Sequence, residues 1–174
     1  GSEVLKLLNT EAYLRLSRME IADNKEDRLC YLEKLGLIKK SGSAYEIPLS
    51  SAYLLARNLS DFNQLARKCV RIVSYGDNDN LSPVVFDKEF KEGIVEAFKS
   101  TYRDLNGLIP RRERIDLESG RRLVELSIPH AVVREVLSNA FAHQDLSSEE
   151  DGIVIEIFKN RVEITNSGRP VLDT

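Results

Sequence analysis

Hydrophobic positions in the first third of the chain recur mostly at the spacing of short helices. Six such residues predict one or two helices near the start: Leu5, Leu7, Leu8, Tyr13, Leu14 and Leu16. The hydroxyl of Thr10 is placed to cap the second of these helices. Leu29, Leu32 and Leu35 predict a further helix, which Asn24 caps and Gly36 ends.

A hairpin and another helix follow. Residues 37–38 and 44–47 read as two short strands joined by a polar turn, and Ser50 or Ser51 opens a helix that continues to Leu59. Helices, a two-stranded wing and a last helix are the element order of a winged helix. We therefore expect a winged-helix-like segment over residues 1–60.

Residues 61–174 have a different pattern. Val70, Ile72 and Val73 predict a strand, and a polar loop follows at 76–80. Seven residues at helical spacing predict an amphipathic helix: Phe90, Ile94, Ala97, Phe98, Thr101, Tyr102 and Leu105. Alternating positions predict one hairpin over 115–128 and a second over 153–164, with a helix from about 129 to 144 between them. This mixture places the chain in the α+β class.

Composition excludes several classes of protein. With 42% hydrophobic residues, 174 residues can bury a real core, and the net charge of -3 gives no long-range attraction for nucleic acid or an anionic membrane. Apolar runs are far shorter than the roughly 20 residues that cross a bilayer. Cys30 and Cys69 stand alone, which indicates neither a disulfide nor a zinc site and favours the cytoplasm. Gly1 and Ser2 resemble a tag-cleavage scar, so we expect a fragment of a longer protein.

The helix over residues 129–144 carries the most informative surface. One apolar stripe should lie on the sheet: Val133, Val136, Leu137, Ala140 and Phe141. The opposite face is small and polar, with Ala131, Glu135, Ser138, Asn139 and Ala142. Glu135 and Asn139 are neighbours on that face, where a carboxylate can orient a water and an amide oxygen can bind Mg2+. The alternative is a surface helix on which these two side chains pair with each other or with water.

Downstream residues extend this candidate site. Asn166 ends a predicted strand and Gly168 follows it, a pattern that can hold the edge of a base, although a plain turn has the same composition. His143 can border the same pocket or contact carbonyls at the helix end. Asp145 either fixes a loop or binds through water.

Two basic groups have alternative interpretations. Five arginines of the first hairpin can contact phosphates: Arg111, Arg112, Arg114, Arg121 and Arg122. Interleaved acids favour cross-strand ion pairs instead. In the winged-helix-like segment, Lys25 and Arg28 on the predicted recognition helix and Lys39 and Lys40 on the wing are candidate DNA contacts, but neighbouring acids offset the helix charges. Such segments also serve as packing or protein-contact modules.

Three motifs carry a family resemblance. They are Arg134-Glu135 with Asn139-Ala140, then His143-Gln144-Asp145, then the run Val162-Glu163-Ile164-Thr165-Asn166-Ser167-Gly168. Together they resemble bacterial and archaeal transcriptional regulators with an ATP-binding domain of the GHKL type, the type found in gyrase and histidine kinases. Those proteins typically read R-E-x-x-x-N-A, H-R/Q-D and I-x-N-P-G at similar spacing, and the resemblance extends over nearly the whole chain.

The resemblance implies a function and a site. Glu135 would be the general base, Asn139 would bind Mg2+, and Asn166 and Gly168 would border the adenine of ATP, with His143 and Asp145 nearby. The implied protein relays its nucleotide state to DNA or protein partners and can pair as a homodimer. The alternative is a non-catalytic DNA-binding or protein-interaction module with a degenerate nucleotide fold.

Departures from the family pattern change these expectations. Asn166 stands where the superfamily commonly has Asp, Ser167 where Pro is usual, and Leu146 where Tyr is frequent. The glycine-rich lid over the phosphates would lie beyond Thr174, and a Schlafen-like AlbA domain that usually precedes this region is absent. The resemblance therefore implies a partial GHKL-type two-layer domain over 61–174. We expect ATP and Mg2+ to bind the full-length protein, with little or no ATPase activity in this fragment.

Overall fold

The computed structural model describes residues 1–18, 24–115 and 122–168, which form two compact units. The first unit contains Gly1–Cys69, Lys91–Ala97 and Leu146–Asp151. The second contains Val70–Phe90, Phe98–Asp145 and the chain from Gly152 onward. The sequence placed a boundary near residue 60, which lies inside the first unit. Both units have helices and strands, and the α+β class is confirmed.

The helices and strands occur in the following order along the chain. The first unit has α1 (Ser2–Leu7), α2 (Thr10–Leu16), α3 (Lys25–Lys34), β1 (Lys39–Ser41), β2 (Ala44–Glu46) and α4 (Leu49–Leu55). Then come β3 (Val70–Tyr75), β4 (Val84–Phe90), α5 (Ile94–Leu108), β5 (Arg111–Ile115), β6 (Arg122–Leu126), α6 (His130–Ala142), β7 (Ile153–Ile157) and β8 (Val162–Thr165). Within the described ranges, no helix combines the length and the apolar character needed to span a bilayer.

In the first unit, the predicted order of helices and hairpin is present, with corrections at several boundaries. The last helix, α4, ends at Leu55 rather than at Leu59 as predicted. Asn24 caps α3 as predicted, since its Oδ1 accepts from the backbone N–H of Glu26 at 3.0 Å. The cap of α2 is Asn9, whose Oδ1 accepts from Ala12, so the prediction of Thr10 was wrong. The first strand begins at Lys39 rather than at residue 37, because Ile38 is drawn into the core with 1% of its surface exposed.

Six buried side chains form the core of the first unit. They are Val4, Leu8, Leu29, Leu32, Ile38 and Leu55. The chain turns sharply into the hairpin at Gly36, whose positive φ of 71° is accessible to glycine at little cost. α1, α3 and α4 therefore pack through one apolar cluster. The prediction was confirmed for Leu8, Leu29 and Leu32, but it was wrong for Leu16 and Leu35, which are 64% and 42% exposed.

The second unit is built on a mixed four-stranded sheet in the order β4-β3-β7-β8. β3 and β7 pair in parallel, whereas the β3/β4 and β7/β8 pairs are antiparallel. β5 and β6 form a separate antiparallel pair, with Arg111 opposite Leu126 and Arg112 opposite Glu125. The predicted turn at residues 118–120 lies outside the described residues.

The sequence did not predict β4. Phe90 was assigned to the helix of Ile94, but it ends β4, and α5 begins at Ile94. β4 has one paired neighbour, β3, and Phe90 is its only fully buried residue. A strand at the edge of a sheet with mostly exposed side chains lacks the alternation by which strands are recognised.

The apolar stripe of α6 is buried at four of its five predicted positions. Val133, Leu137, Ala140 and Phe141 are buried, and the Phe141 ring packs on the Phe98 ring of α5 with centroids 5.8 Å apart. Val136 was wrongly placed in this stripe, because 43% of its surface is exposed. The buried face of α6 is therefore narrower than the sequence suggested.

Candidate functional site

Glu135 and Asn139 lie one turn apart on the exposed side of α6. The Nδ2 of Asn139 donates to Oε1 of Glu135 at 3.2 Å. The Oδ1 of Asn139 and the second carboxylate oxygen of Glu135 have no hydrogen-bond partner in the described part of the chain. The hydrogen bond between Glu135 and Asn139 thus orients both side chains, and each presents one free acceptor oxygen to solvent.

Small side chains surround this pair, as the sequence predicted. Ala131 and Ala142 are exposed, and the Oγ of Ser138 donates to the Arg134 carbonyl at 2.8 Å, which folds it back on the helix. No long side chain among these three covers the Glu135 and Asn139 oxygens. The small residues that the sequence predicted around the pair are therefore present on this face.

The end of α6 is joined to the end of β8 by a group of contacts that we call the α6–β8 clasp: His143, Gln144 and Asp145 against Asn166, Ser167 and Gly168. The backbone N–H of His143 donates to the Asn139 carbonyl at 3.0 Å, and the His143 carbonyl accepts from the Asn166 Nδ2 at 3.3 Å. Gly168 lies so close that a Cβ on it would be 1.9 Å from the His143 oxygen. Only glycine fits there.

Gln144 and Ser167 complete the clasp and were not among the predicted site residues. Gln144 is 8% exposed, and its Nε2 donates to the Oγ of Ser167. Its Oε1 is buried and has no hydrogen-bond partner among the residues that the structure describes. The Asp145 carbonyl accepts from the Ser167 Oγ at 3.5 Å. The position of Gln144 inside the His143-Gln144-Asp145 motif was the available sequence signal.

The structure thus brings together the predicted residues of the ATP site in two groups. Glu135 and Asn139 form one group, and Asn166 and Gly168 meet the His143 carbonyl in the clasp, one turn further along α6. The Asn166 Oδ1 has no partner among the described residues, so it can accept a hydrogen bond. The imidazole of His143 is exposed rather than tied to helix carbonyls.

The described residues of this face offer a metal ion an amide oxygen and a carboxylate oxygen rather than a cluster of ligands. In residues 1–18, 24–115 and 122–168 no three His, Cys, Asp or Glu side chains cluster as metal ligands. Mg2+ commonly takes one or two protein oxygens and completes its shell with water and phosphate oxygens. The single free amide oxygen of Asn139 fits that requirement.

An apolar groove of about 210 Å³ runs beside α6 in the second unit. Its lining includes Val132 and Val136 of α6, Leu105 of α5, and Val162 and Ile164 of β8. Val132 and Val136 are 48% and 43% exposed. The exposure of Val136 is therefore explained by its position at the rim of this groove.

The candidate DNA contacts of the first unit differ in their availability. Lys25 donates to the Ser2 hydroxyl, and Arg28 lies 3.7 Å from the Glu11 carboxylate. Lys39 and Lys40 are exposed on β1, opposite Glu46 and Tyr45 of β2, and neither side chain has a hydrogen-bond or ion-pair partner in the described ranges. Of these four candidates, Lys39 and Lys40 of the β1/β2 hairpin are therefore free of the contacts that engage Lys25 and Arg28.

Comparison with known proteins adds evidence about the fold. No model of a known protein family matches the chain, and no curated protein sequence matches it. The crystal structure of the DIP2311 protein from Corynebacterium diphtheriae is similar, with a TM-score of 0.59 over 87% of this chain and 16% sequence identity. The chain spans 28% of the length of that protein. At this identity the similarity shows a shared fold alone.

Proposed function

We propose that this chain supplies the Mg-ATP-binding helix of a GHKL-type domain, within a transcriptional regulator whose nucleotide state is relayed to DNA or a protein partner. The observation that carries the proposal is the Glu135 and Asn139 pair on α6. Its two side chains are joined at 3.2 Å, and each keeps one oxygen free on a face of small residues.

Each side chain of the pair has a distinct role in this proposal. The free Oδ1 of Asn139 binds the magnesium ion that accompanies ATP, and the ion neutralises charge on the phosphates. The free oxygen of Glu135 orients a water and accepts its proton. The hydrogen bond between Asn139 and Glu135 holds the Glu135 carboxylate beside the ion. The carboxylate is therefore already in position before the nucleotide binds.

The α6–β8 clasp offers a binding position for the adenine base of ATP in this proposal. The Nδ2 of Asn166 donates to the His143 carbonyl, so the Oδ1 of Asn166 remains as an acceptor for the amino group of adenine. Gly168 keeps the backbone close to the end of α6. An amide is a weaker acceptor than the aspartate usual in the superfamily, so we expect weaker adenine binding than in its aspartate-bearing members.

Calorimetric titration of Mg-ATP tests the proposal, in a natural form of the protein that carries the lid implied by the resemblance. Asn139→Ala should weaken binding at least tenfold, because a ligand of the ion is lost. Glu135→Gln should retain binding but abolish hydrolysis, because the amide cannot accept the proton. Ser138→Ala on the same face is the matched control and should change neither. Equal affinity of the wild type and Asn139→Ala would refute the proposal.

The second candidate function is a non-catalytic DNA-binding or protein-interaction module. It is favoured by one observation, the unpartnered and exposed Lys39 and Lys40 on the wing. Absence of Mg-ATP binding in the lid-bearing protein, together with salt-dependent DNA binding, would favour this function over the first.

A further inference from the structure

A cavity of about 240 Å³ in the second unit lies where the base of the β5/β6 pair meets the β7–β8 turn. Its lining includes three cationic side chains, Arg111, Lys159 and Arg161, with Asn160 and Ser127. No Asp or Glu is among its lining residues. Lys159 and Arg161 pair with acids outside the lining, Asp77 and Glu163, whereas Arg111 has no ion-pair partner among the described residues.

Arg111 is the available donor of this cavity. It stands opposite Leu126 on the partner strand, so the cross-strand ion pair expected from the sequence does not form there. Its guanidinium is exposed and has no hydrogen bond or ion pair within the described part of the chain. Glu113, two residues along on the same face of β5, interacts elsewhere. Arg111 therefore projects five donors that no described acceptor satisfies.

Arg161 is a second donor, held in place by its surroundings. Its Nη1 donates to the Asn78 carbonyl at 2.7 Å, and its guanidinium carbon lies 3.9 Å from the centre of the Phe158 ring. Its Nε pairs with Glu163, which leaves Nη2 without a partner in the described ranges. The planar group is thus fixed before any ligand arrives, which lowers the entropy cost of binding.

Backbone hydrogen bonds close one side of the cavity, and a loosely paired lysine lies on the other. The Pro110 carbonyl accepts from both the backbone N–H of Ser127 at 3.0 Å and its Oγ at 2.7 Å, which closes the base of the β5/β6 pair beside Arg111. Lys159 adds a mobile charge, since its ion pair with Asp77 is long at 3.5 Å and both side chains are more than half exposed. Exposed pairs of this kind exchange readily for a better anion.

We propose that this cavity binds a phosphate group, with Arg111 as a forked donor, the free Nη2 of Arg161 as a second donor and Lys159 as a point charge. Arginine forks match the oxygens of phosphate, and the cavity has room for such a group with its waters. This site is separate from Glu135 and Asn139 and does not depend on the proposed ATP site. The phosphate belongs either to a small phosphorylated molecule or to a nucleic-acid backbone.

Calorimetry with inorganic tripolyphosphate tests the proposal on the 174-residue chain. Arg111→Ala should weaken binding tenfold or more, since a charged hydrogen-bonding group is removed. Arg103→Ala is the matched control, because Arg103 is exposed in the same unit and outside the cavity. Asn139→Ala should bind as the wild type does, which separates this site from the proposed ATP site. Equal thermal midpoints of the variants show that each is folded.

Competition with a mixed-sequence single-stranded oligonucleotide identifies the source of the phosphate. Displacement of tripolyphosphate by the oligonucleotide, weakening as salt rises and lost in Arg111→Ala, assigns a nucleic-acid backbone. Binding of tripolyphosphate that the oligonucleotide does not displace assigns a small phosphorylated molecule. If Arg111→Ala fails to fold, Lys159→Ala takes its place, with a threefold or greater loss expected. No tripolyphosphate binding at millimolar concentration, or equal loss in Arg111→Ala and Arg103→Ala, overturns the proposal.

Discussion

Replacing Gly168 with alanine tests how the α6–β8 clasp is held. The added Cβ would lie 1.9 Å from the His143 oxygen and 3.0 Å from its carbon. Ordinary C···O contacts are no closer than about 3.3 Å. The third close atom is the Nδ2 of Asn166 at 2.8 Å. Because the nearest atoms belong to backbone, no side-chain rotation relieves the overlap, and the strand end must move away by more than 1 Å.

That movement breaks the hydrogen bonds of the clasp. The Asn166 bond to the His143 carbonyl is lost first, and the Gln144 and Ser167 contacts move with it. Each such bond contributes a net 0.5 to 1.5 kcal/mol or so. We therefore expect Gly168→Ala to lower the free energy of unfolding by about 1 to 3 kcal/mol, the range also typical of an overpacked site.

Urea denaturation measures the loss, and hydrogen exchange locates it. Exchange should rise at residues 143–145 and 166–168 while the amides of β3 and β7 keep their protection. Gly107→Ala is the matched control, because a Cβ there meets nothing within 4 Å and alanine favours the α5 helix by about 1 kcal/mol. Equal stability of Gly168→Ala and the wild type would contradict the close approach of β8 to α6.

Three further predictions concern the cores and charges. Leu32→Ala should cost about 2 to 5 kcal/mol in denaturant unfolding, because the side chain is 1% exposed in the core of the first unit. The hydrogen bond from Lys88 holds the pKa of Asp104 below its usual range, so the carboxylate stabilises the fold above pH 4 or so and loses this effect as acid protonates it. Asp104→Asn should therefore cost up to about 1 kcal/mol at pH 7 and nothing near pH 2, measured by thermal unfolding. Combined Lys39→Ala and Lys40→Ala should weaken any mobility shift of double-stranded DNA; an unchanged shift would exclude the β1/β2 hairpin as the contact.

The elements that could be predicted from the sequence are those with one regularly spaced apolar face. α3, α5, α6 and the β7/β8 pair were predicted because their apolar residues recur with one period. β4 was not predicted because an edge strand buries little of its surface and so lacks a regular apolar pattern. Val136 was wrongly assigned to the buried face because helical spacing identifies the apolar face of a helix but not how many of its residues are buried. Thr10 and Asn9 are both favourable N-cap residues, and the backbone conformation determines which of them caps α2.

The contacts of the candidate site that lie within one helix could be predicted from the sequence. The contacts between two elements could not. The four-residue spacing of Glu135 and Asn139 fixes their contact wherever α6 forms. The clasp depends on the tertiary meeting of residues more than 20 positions apart, and the partner of Asn166 is a main-chain carbonyl. A sequence does not reveal which backbone group a side chain will find, so Gln144 and Ser167 were not predicted.

Neither compact unit is a continuous stretch of chain, and this affects how the protein can fold during synthesis. The first unit needs residues 146–151, and the second begins at Val70 but needs β7 to complete the parallel pair with β3. Neither unit can therefore be completed before residues 146–151 and β7 have been synthesised. Until then Ile72 and its neighbours on β3 can pair with β4 but lack β7 on their other side. Chaperone binding to nascent chains of 75 to 150 residues should therefore exceed that to the 174-residue chain.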